Sequence, residues 1–224
     1  MEELGLIFDL DGTLLDNMSY HLQAWEKFAG EMGIDLKGEA LFKELYGKNE
    51  EVIVRLLGNR FSAAQLTELS HVKEKYYRDI YLPHVQLMPG AEKLFKEAAA
   101  DQIQMAIATA SMKMNVDILV DELGIRNYFG AIITADDVVN SKPDPETFLK
   151  AAAGIKRSAG NCVVFEDVPK GVASAANAGM QAFVITTSHK PGEFTGYKNI
   201  AGFFPDFTTT TIETIKKTIA KKVA

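Results

Sequence analysis

Asp9 and Asp11 stand two residues apart where the apolar run Leu4-Gly5-Leu6-Ile7-Phe8 ends, and Gly12 and Thr13 follow them. In an extended chain alternate residues share a face, so the two carboxylates lie about 6–7 Å apart along the backbone. Acidic side chains delivered together by an apolar strand repel each other and resist burial unless a cation sits between them. Magnesium, a hard cation that favours carboxylate oxygen, is the natural candidate. An ordinary strand-to-turn exit would use the same residue types. Three later stretches add further parts: Thr109-Ala110-Ser111, the lysine of Ser141-Lys142-Pro143, and Glu166-Asp167. Together these are what phosphoryl transfer requires: a nucleophile, a proton carrier, and positive charge on the equatorial oxygens. Asp9 suits the nucleophile, and Asp11 can protonate the leaving oxygen and then deprotonate a water. Thr109, Ser111 and the backbone amides around Ala110 can hold phosphate oxygens. Lys142 adds a cation, and Asp167, with Glu166 beside it, can complete the magnesium site with Asp9. Each part has a plainer alternative: Thr109, Ser111 and Glu166-Asp167 can cap the helices that follow them, and Lys142 can be a solvated loop charge.

The elements that must position these groups are legible from periodicity. Short apolar runs at 4–8, 103–108, 131–134, 161–165 and 181–186 predict strands, and helical patterns separate the later ones. That alternation predicts an α/β protein with a Rossmann-like, doubly wound parallel sheet, whose ligands bind at the carboxyl ends of the strands. The candidate residues all lie at such ends. Residues 17–83 carry no strand signal. Four helices are expected there, at 18–32 after an Asp16 or Asn17 cap, 38–46, 48–57 and 62–81, with Pro83 preventing continuation. The predicted organisation is a core of residues 1–15 and 84–224 interrupted by a helical cap of residues 16–83. Trp25 is expected in the core of that cap, and His21 is either a substrate-facing group or a packing residue. A terminal helix is expected from Thr210 to about Lys222. Residues 187–209 give no clear pattern.

Composition narrows the partners. With 47% hydrophobic and 24% charged residues among 224, the chain can build a full core. Its net charge of −6 offers no basic face for nucleic acid or an anionic membrane. A single cysteine, Cys162, excludes an internal disulfide. The start Met1-Glu2-Glu3 does not fit a secretory leader, and no apolar segment is long enough to span a bilayer. The expectation is a cytoplasmic protein, a monomer by default, acting on a small phosphorylated metabolite.

With the stretches in this order, the sequence resembles the haloacid dehalogenase superfamily. The residues that carry the resemblance are Asp9-Leu10-Asp11-Gly12-Thr13, Thr109-Ala110-Ser111, Lys142-Pro143 and Glu166-Asp167. It implies a four-helix cap inserted after the first strand, able to close over substrate, and a Mg²⁺-dependent mechanism through an aspartyl-phosphate. The implied roles are nucleophile Asp9, acid/base Asp11 and phosphate ligands Thr109 and Lys142. The implied metal ligands are Asp9, Asp167 and the Asp11 backbone carbonyl, with Glu166 a supporting or direct metal-site acid. The second acid, Asp11, resembles the phosphotransferase members rather than the dehalogenases. Tyr20-His21, Ala24-Trp25, Ser141-Lys142-Pro143 and Glu166-Asp167 resemble the β-phosphoglucomutase branch, which also contains small-molecule phosphatases. His21, Lys48 and Lys73 are the implied cap residues for substrate. The mutases have a lysine before the cap-loop glycine and an arginine three residues after it, where this chain has Tyr46 and Glu50. A mutase must hold a second phosphate in its cap, so hydrolysis is expected ahead of mutase activity.

Overall fold

A computed structural model describes residues 3–223; the acidic start read at Met1 and Glu2 lies outside the described residues. Six strands form one parallel sheet in the order β3-β2-β1-β4-β5-β6. They are β1 (Gly5–Phe8), β2 (Gln104–Ala108), β3 (Ala131–Ile133), β4 (Cys162–Glu166), β5 (Gln181–Ile185) and β6 (Ile200–Phe204). The order runs outward in both directions from β1, as the doubly wound expectation requires. β1 is central, and its four residues are buried on both faces, which explains why it reads as a continuous apolar run rather than an alternating one.

The chain divides into two compact units, Met1–Asp16 with Gln86–Ala224, and Asn17–Val85. The predicted insert, 16–83, starts one residue earlier and ends two residues earlier.

In the α/β unit the period-2 pattern of the strands sorts two cores. Phe8, Phe165 and Phe183 are in register across β1, β4 and β5. Their rings stack at centroid separations of 4.8 and 5.4 Å, with Phe95 5.5 Å from Phe8 and Phe207 5.5 Å from Phe165. Their neighbours Ile7, Ala106, Val164 and Ala182 point the other way. They pack with Phe148 and Ala151 of α7 (Glu146–Gly154) and with Val172 and Ala175 of α8 (Pro169–Asn177). With both faces covered, the sheet leaves its strand ends as the place for polar side chains.

The helical unit contains α1 (Met18–Glu31), α2 (Gly38–Phe42), α3 (Asn49–Leu57) and α4 (Ala63–Tyr81). Its core is Trp25, Phe28, Leu41, Val52 and Ile53. Three local expectations need correction. Asn17 occupies the N-cap position of α1 but makes no side-chain cap bond; its amide donates to the Tyr77 hydroxyl at 2.7 Å. α2 ends at Phe42 rather than 46, and beyond it the carbonyls of Glu44 and Tyr46 accept from the Arg55 guanidinium. The unassigned stretch 187–209 contains β6 at the sheet edge. α5 (Ala91–Ala100), α6 (Lys113–Glu122) and α9 (Ile212–Val223) complete the α/β unit. No described helix is long and apolar enough to cross a membrane.

Candidate active site

The carboxyl ends of β1, β2, β4 and β5 converge on one cluster. Asp9 follows β1 directly, and its amide donates to the Phe165 carbonyl at 2.9 Å, extending the β1–β4 pairing one residue past the strand. Thr109 does the same after β2, donating to the Ile133 carbonyl at 2.9 Å. The nucleophile candidate and the hydroxyl loop are therefore set on backbone that the sheet holds in place.

Lys142 enters from the loop before α7. Its ammonium lies 2.6 Å from Asp9 Oδ1, 2.8 Å from Glu166 Oε1 and 3.2 Å from the Ala108 carbonyl. It also stands 4.6 Å over the Phe148 ring. Asp9 is only 7% exposed. Burial, with the facing Glu166 charge, pushes its pKa up to about 8, although Lys142 pulls the other way. Burial alone would lower the Lys142 pKa, but the Asp9 and Glu166 carboxylates outweigh it and hold the lysine above its ordinary range.

Glu166, 1% exposed, has both oxygens engaged. Oε1 faces Lys142, and Oε2 accepts the amides of Asp167 and Val168 at 2.8 and 3.0 Å. It ties down the backbone entering α8, and a side chain on Gly171 would collide with it. Glu166, expected as a supporting or direct metal-site acid, here holds Lys142 and the Asp167 backbone. Asp167 behaves differently. Oδ1 accepts from the Thr13 hydroxyl at 3.4 Å, while Oδ2 is buried with no hydrogen-bond partner. Burial and the charges of Glu166 and Asp9 push its pKa well up, with Ser188 and Lys142 opposing. A methyl group on Gly12, which has φ +77°, would collide with this same carboxylate. Glycine is needed at that position both for its backbone and for its missing side chain.

These observations test the fit of a metal. Asp9, Glu166 and Asp167 bring three carboxylates against the single ammonium of Lys142, a set short of positive charge. Among the described residues no group of three or more His, Cys, Asp or Glu side chains could hold a metal by itself. Two carboxylates with an orphaned oxygen suit magnesium, which keeps several waters and takes one or two protein carboxylates. The residues fit.

On the β2 side, the Ser111 hydroxyl donates to Asp11 Oδ2, and the Ser111 amide donates to the Thr109 hydroxyl oxygen at 3.0 Å. Neither hydroxyl caps α6: its N-cap position is Met112, and the Lys113 amide is taken by Asp136 at 2.6 Å. The β5 exit was missed at the level of sequence. The Thr187 hydroxyl there donates to the Gly12 carbonyl, and Ser188 stands beside Asp167. The signal was present, since Gln181–Ile185 runs into Thr186-Thr187-Ser188 much as β2 runs into Thr109-Ala110-Ser111.

The three cap candidates lie in the helical unit. His21 is buried against Tyr77, with ring centroids 3.8 Å apart, and its Nδ1 is 2.8 Å from Lys73 Nζ. Lys73 is 1% exposed and pairs with Glu74 at 2.7 Å, which in turn accepts from Asn49 at 2.8 Å. Lys73 is therefore a buried cation with its counter-charge beside it, not a solvent-facing one. Lys48 precedes α3, and its amide donates to Glu51 at 3.2 Å.

Residues 6–185 match the family model of the haloacid dehalogenase-like hydrolases. The chain is 31% identical over 178 residues to a fructose-1-phosphate phosphatase of Escherichia coli, covering 80% of this chain and 94% of that protein. It is 30% identical over 186 residues to a beta-phosphoglucomutase of Bacillus subtilis, covering 80% and 81%. A beta-phosphoglucomutase structure from Clostridium difficile superposes with a TM-score of 0.87 at 26% identity, over 100% of this chain and 99% of that one.

Proposed function

The chain belongs to the haloacid dehalogenase-like hydrolase family and is a phosphohydrolase or phosphomutase, and from that premise we propose that it hydrolyses a small phosphate monoester, of sugar-phosphate type, through an aspartyl-phosphate on Asp9. The observation that carries this reading is the group Asp9, Lys142 and Asp167, buried together with one Asp167 oxygen unpartnered.

In the first step Asp9 Oδ forms a bond to phosphorus as the ester P–O bond breaks, and the Asp11 carboxyl gives its proton to the leaving oxygen. In the second, Asp11 takes a proton from a water as that water attacks the phosphorus. The bond from phosphorus to Asp9 breaks, orthophosphate leaves, and Asp11 is again protonated. Lys142, with Thr109 and the backbone at Ala110, binds the phosphoryl oxygens. Asp9, Asp167 and the Asp11 carbonyl would hold Mg²⁺, which supplies positive charge to the phosphoryl oxygens and keeps Asp9 ionised. Glu166 holds Lys142 and the Asp167 backbone in place.

The similarity to beta-phosphoglucomutases favours a second reading, in which the phosphoryl group on Asp9 passes to a sugar hydroxyl instead of water. Against it, this chain has Glu50 at the position where the mutases it resembles have an arginine, and the Arg55 guanidinium is engaged with the Tyr46 ring and the carbonyls beside it. ³¹P NMR with Mg²⁺ separates the two. Fructose 1-phosphate, and β-glucose 1-phosphate with a trace of the 1,6-bisphosphate, should give free phosphate without isomerisation. Glucose 6-phosphate as the product would make the chain a mutase.

A further inference from the structure

Ser111 is held by its backbone from two sides. Its amide donates to Thr109 at 3.0 Å, and its carbonyl accepts from Ala135, after β3, at 2.9 Å. What remains to turn is the hydroxyl, which donates to Asp11 Oδ2. A serine hydroxyl has one hydrogen to give. It can go to Asp11 or to an oxygen of a phosphate in the Thr109–Ser111 loop, but not to both.

We propose that Ser111 is a positioning residue for Asp11: it donates to one oxygen of the acid/base carboxyl, whose other oxygen carries the catalytic proton, and an arriving phosphate takes over the serine hydrogen and releases the protonated Asp11 carboxyl to the leaving oxygen. The proposal rests on the reading of Asp11 as general acid, and it links occupancy of the phosphate loop to the proton that the first step needs. A residue that only bound phosphate would aid all esters alike. A residue acting through Asp11 aids them in proportion to how much their leaving group needs a proton.

The test uses substituted phenyl phosphates of nearly constant shape, from phenyl phosphate to 2,4-dinitrophenyl phosphate, in the presence of Mg²⁺. The readout is kcat/KM, which reports the step in which the alcohol departs. Ser111→Ala should lower kcat/KM for phenyl phosphate about tenfold or more beyond its effect on the dinitrophenyl ester, steepening the leaving-group dependence. Ser111→Thr, which keeps a hydroxyl, should restore the wild-type dependence. In an Asp11→Asn background, Ser111→Ala should leave the dependence unchanged, because the coupling is gone. An equal loss on both esters, or the same steepening without Asp11, overturns the proposal. Wild-type protein that cleaves none of the esters overturns the phosphatase reading beneath it, which is a separate outcome.

Discussion

At the scale of single residues, the site works by leaving charge unbalanced in a dry place. Asp9, Glu166 and Asp167 outnumber Lys142, and the shifted pKa values of Asp9 and Asp167 express that shortfall. Gly12 belongs to the same device, because its missing side chain is what lets Asp167 come up under the β1 exit. Gly12→Ala combines a left-handed backbone with a collision against a carboxylate. It should cost about 1–3 kcal/mol in stability and weaken Mg²⁺ binding. Urea unfolding and magnesium titration check this, and a variant with wild-type values in both would show that Asp167 has room to move. The first-strand acids were readable as candidates because they follow an unmistakable apolar run, whereas Lys142 lies in a polar, proline-bearing loop and stood out only in company with the strand-end groups. The division of labour between Glu166 and Asp167 was not. Two adjacent acids look alike in sequence, and only the amides of Asp167 and Val168 and the position of Lys142 decide which one is already occupied.

At the scale of elements, the sheet was legible where strands are buried on both faces and vague at its edge. β6 is only partly buried, and its short apolar run Ile200–Phe204 lies within the loop-rich stretch 187–209, where it did not stand out. α2 ends at Phe42, short of the expected 46, and periodicity does not show the arginine nine residues beyond Tyr46 that binds its carbonyl. The helical unit carries its own buried ion pair. Burial would raise the Glu74 pKa, but the Lys73 ammonium beside it more than offsets this and holds it below the usual carboxylate range. Glu74→Ala leaves Lys73 buried without its partner and should destabilise the protein by about 3–5 kcal/mol in urea unfolding. Lys73→Met together with Glu74→Leu should cost less than that single change, since an apolar pair of similar volume removes the desolvation problem altogether. A double variant worse than the single would mean that the pair does more than satisfy itself.

For the molecule as a whole, the acidic site links stability to pH and, under the proposed function, to magnesium. The folded-state pKa of Asp9 lies above its unfolded value of 3.8, so its contribution is fully present below about pH 4 and is lost as the pH rises toward 8. Asp167 shifts in the same direction. In the presence of a chelator, Tm should be lower at pH 8 than at pH 6. Mg²⁺ should raise Tm at both values, and by more at pH 8, where it replaces the protons that the carboxylates have lost. A Tm that rises with pH in chelator would contradict this electrostatic account. The net charge of −6 supplies no general attraction for a phosphate ester, so under the proposed function its binding would rest on Lys142, the loop amides and the metal.

The central claim is that Asp9 carries the phosphoryl group. Rapid acid quench during steady-state turnover with Mg²⁺, followed by borohydride reduction and peptide mass spectrometry, tests it directly. An acyl phosphate on Asp9 would be reduced to homoserine, and the peptide spanning Gly5 to Thr13 should carry that change only when substrate is present. Asp9→Asn should lose activity about a thousandfold or more and show no trapped species. Turnover with the Asp9 peptide unmodified, together with an active Asp9→Asn variant, would contradict the account.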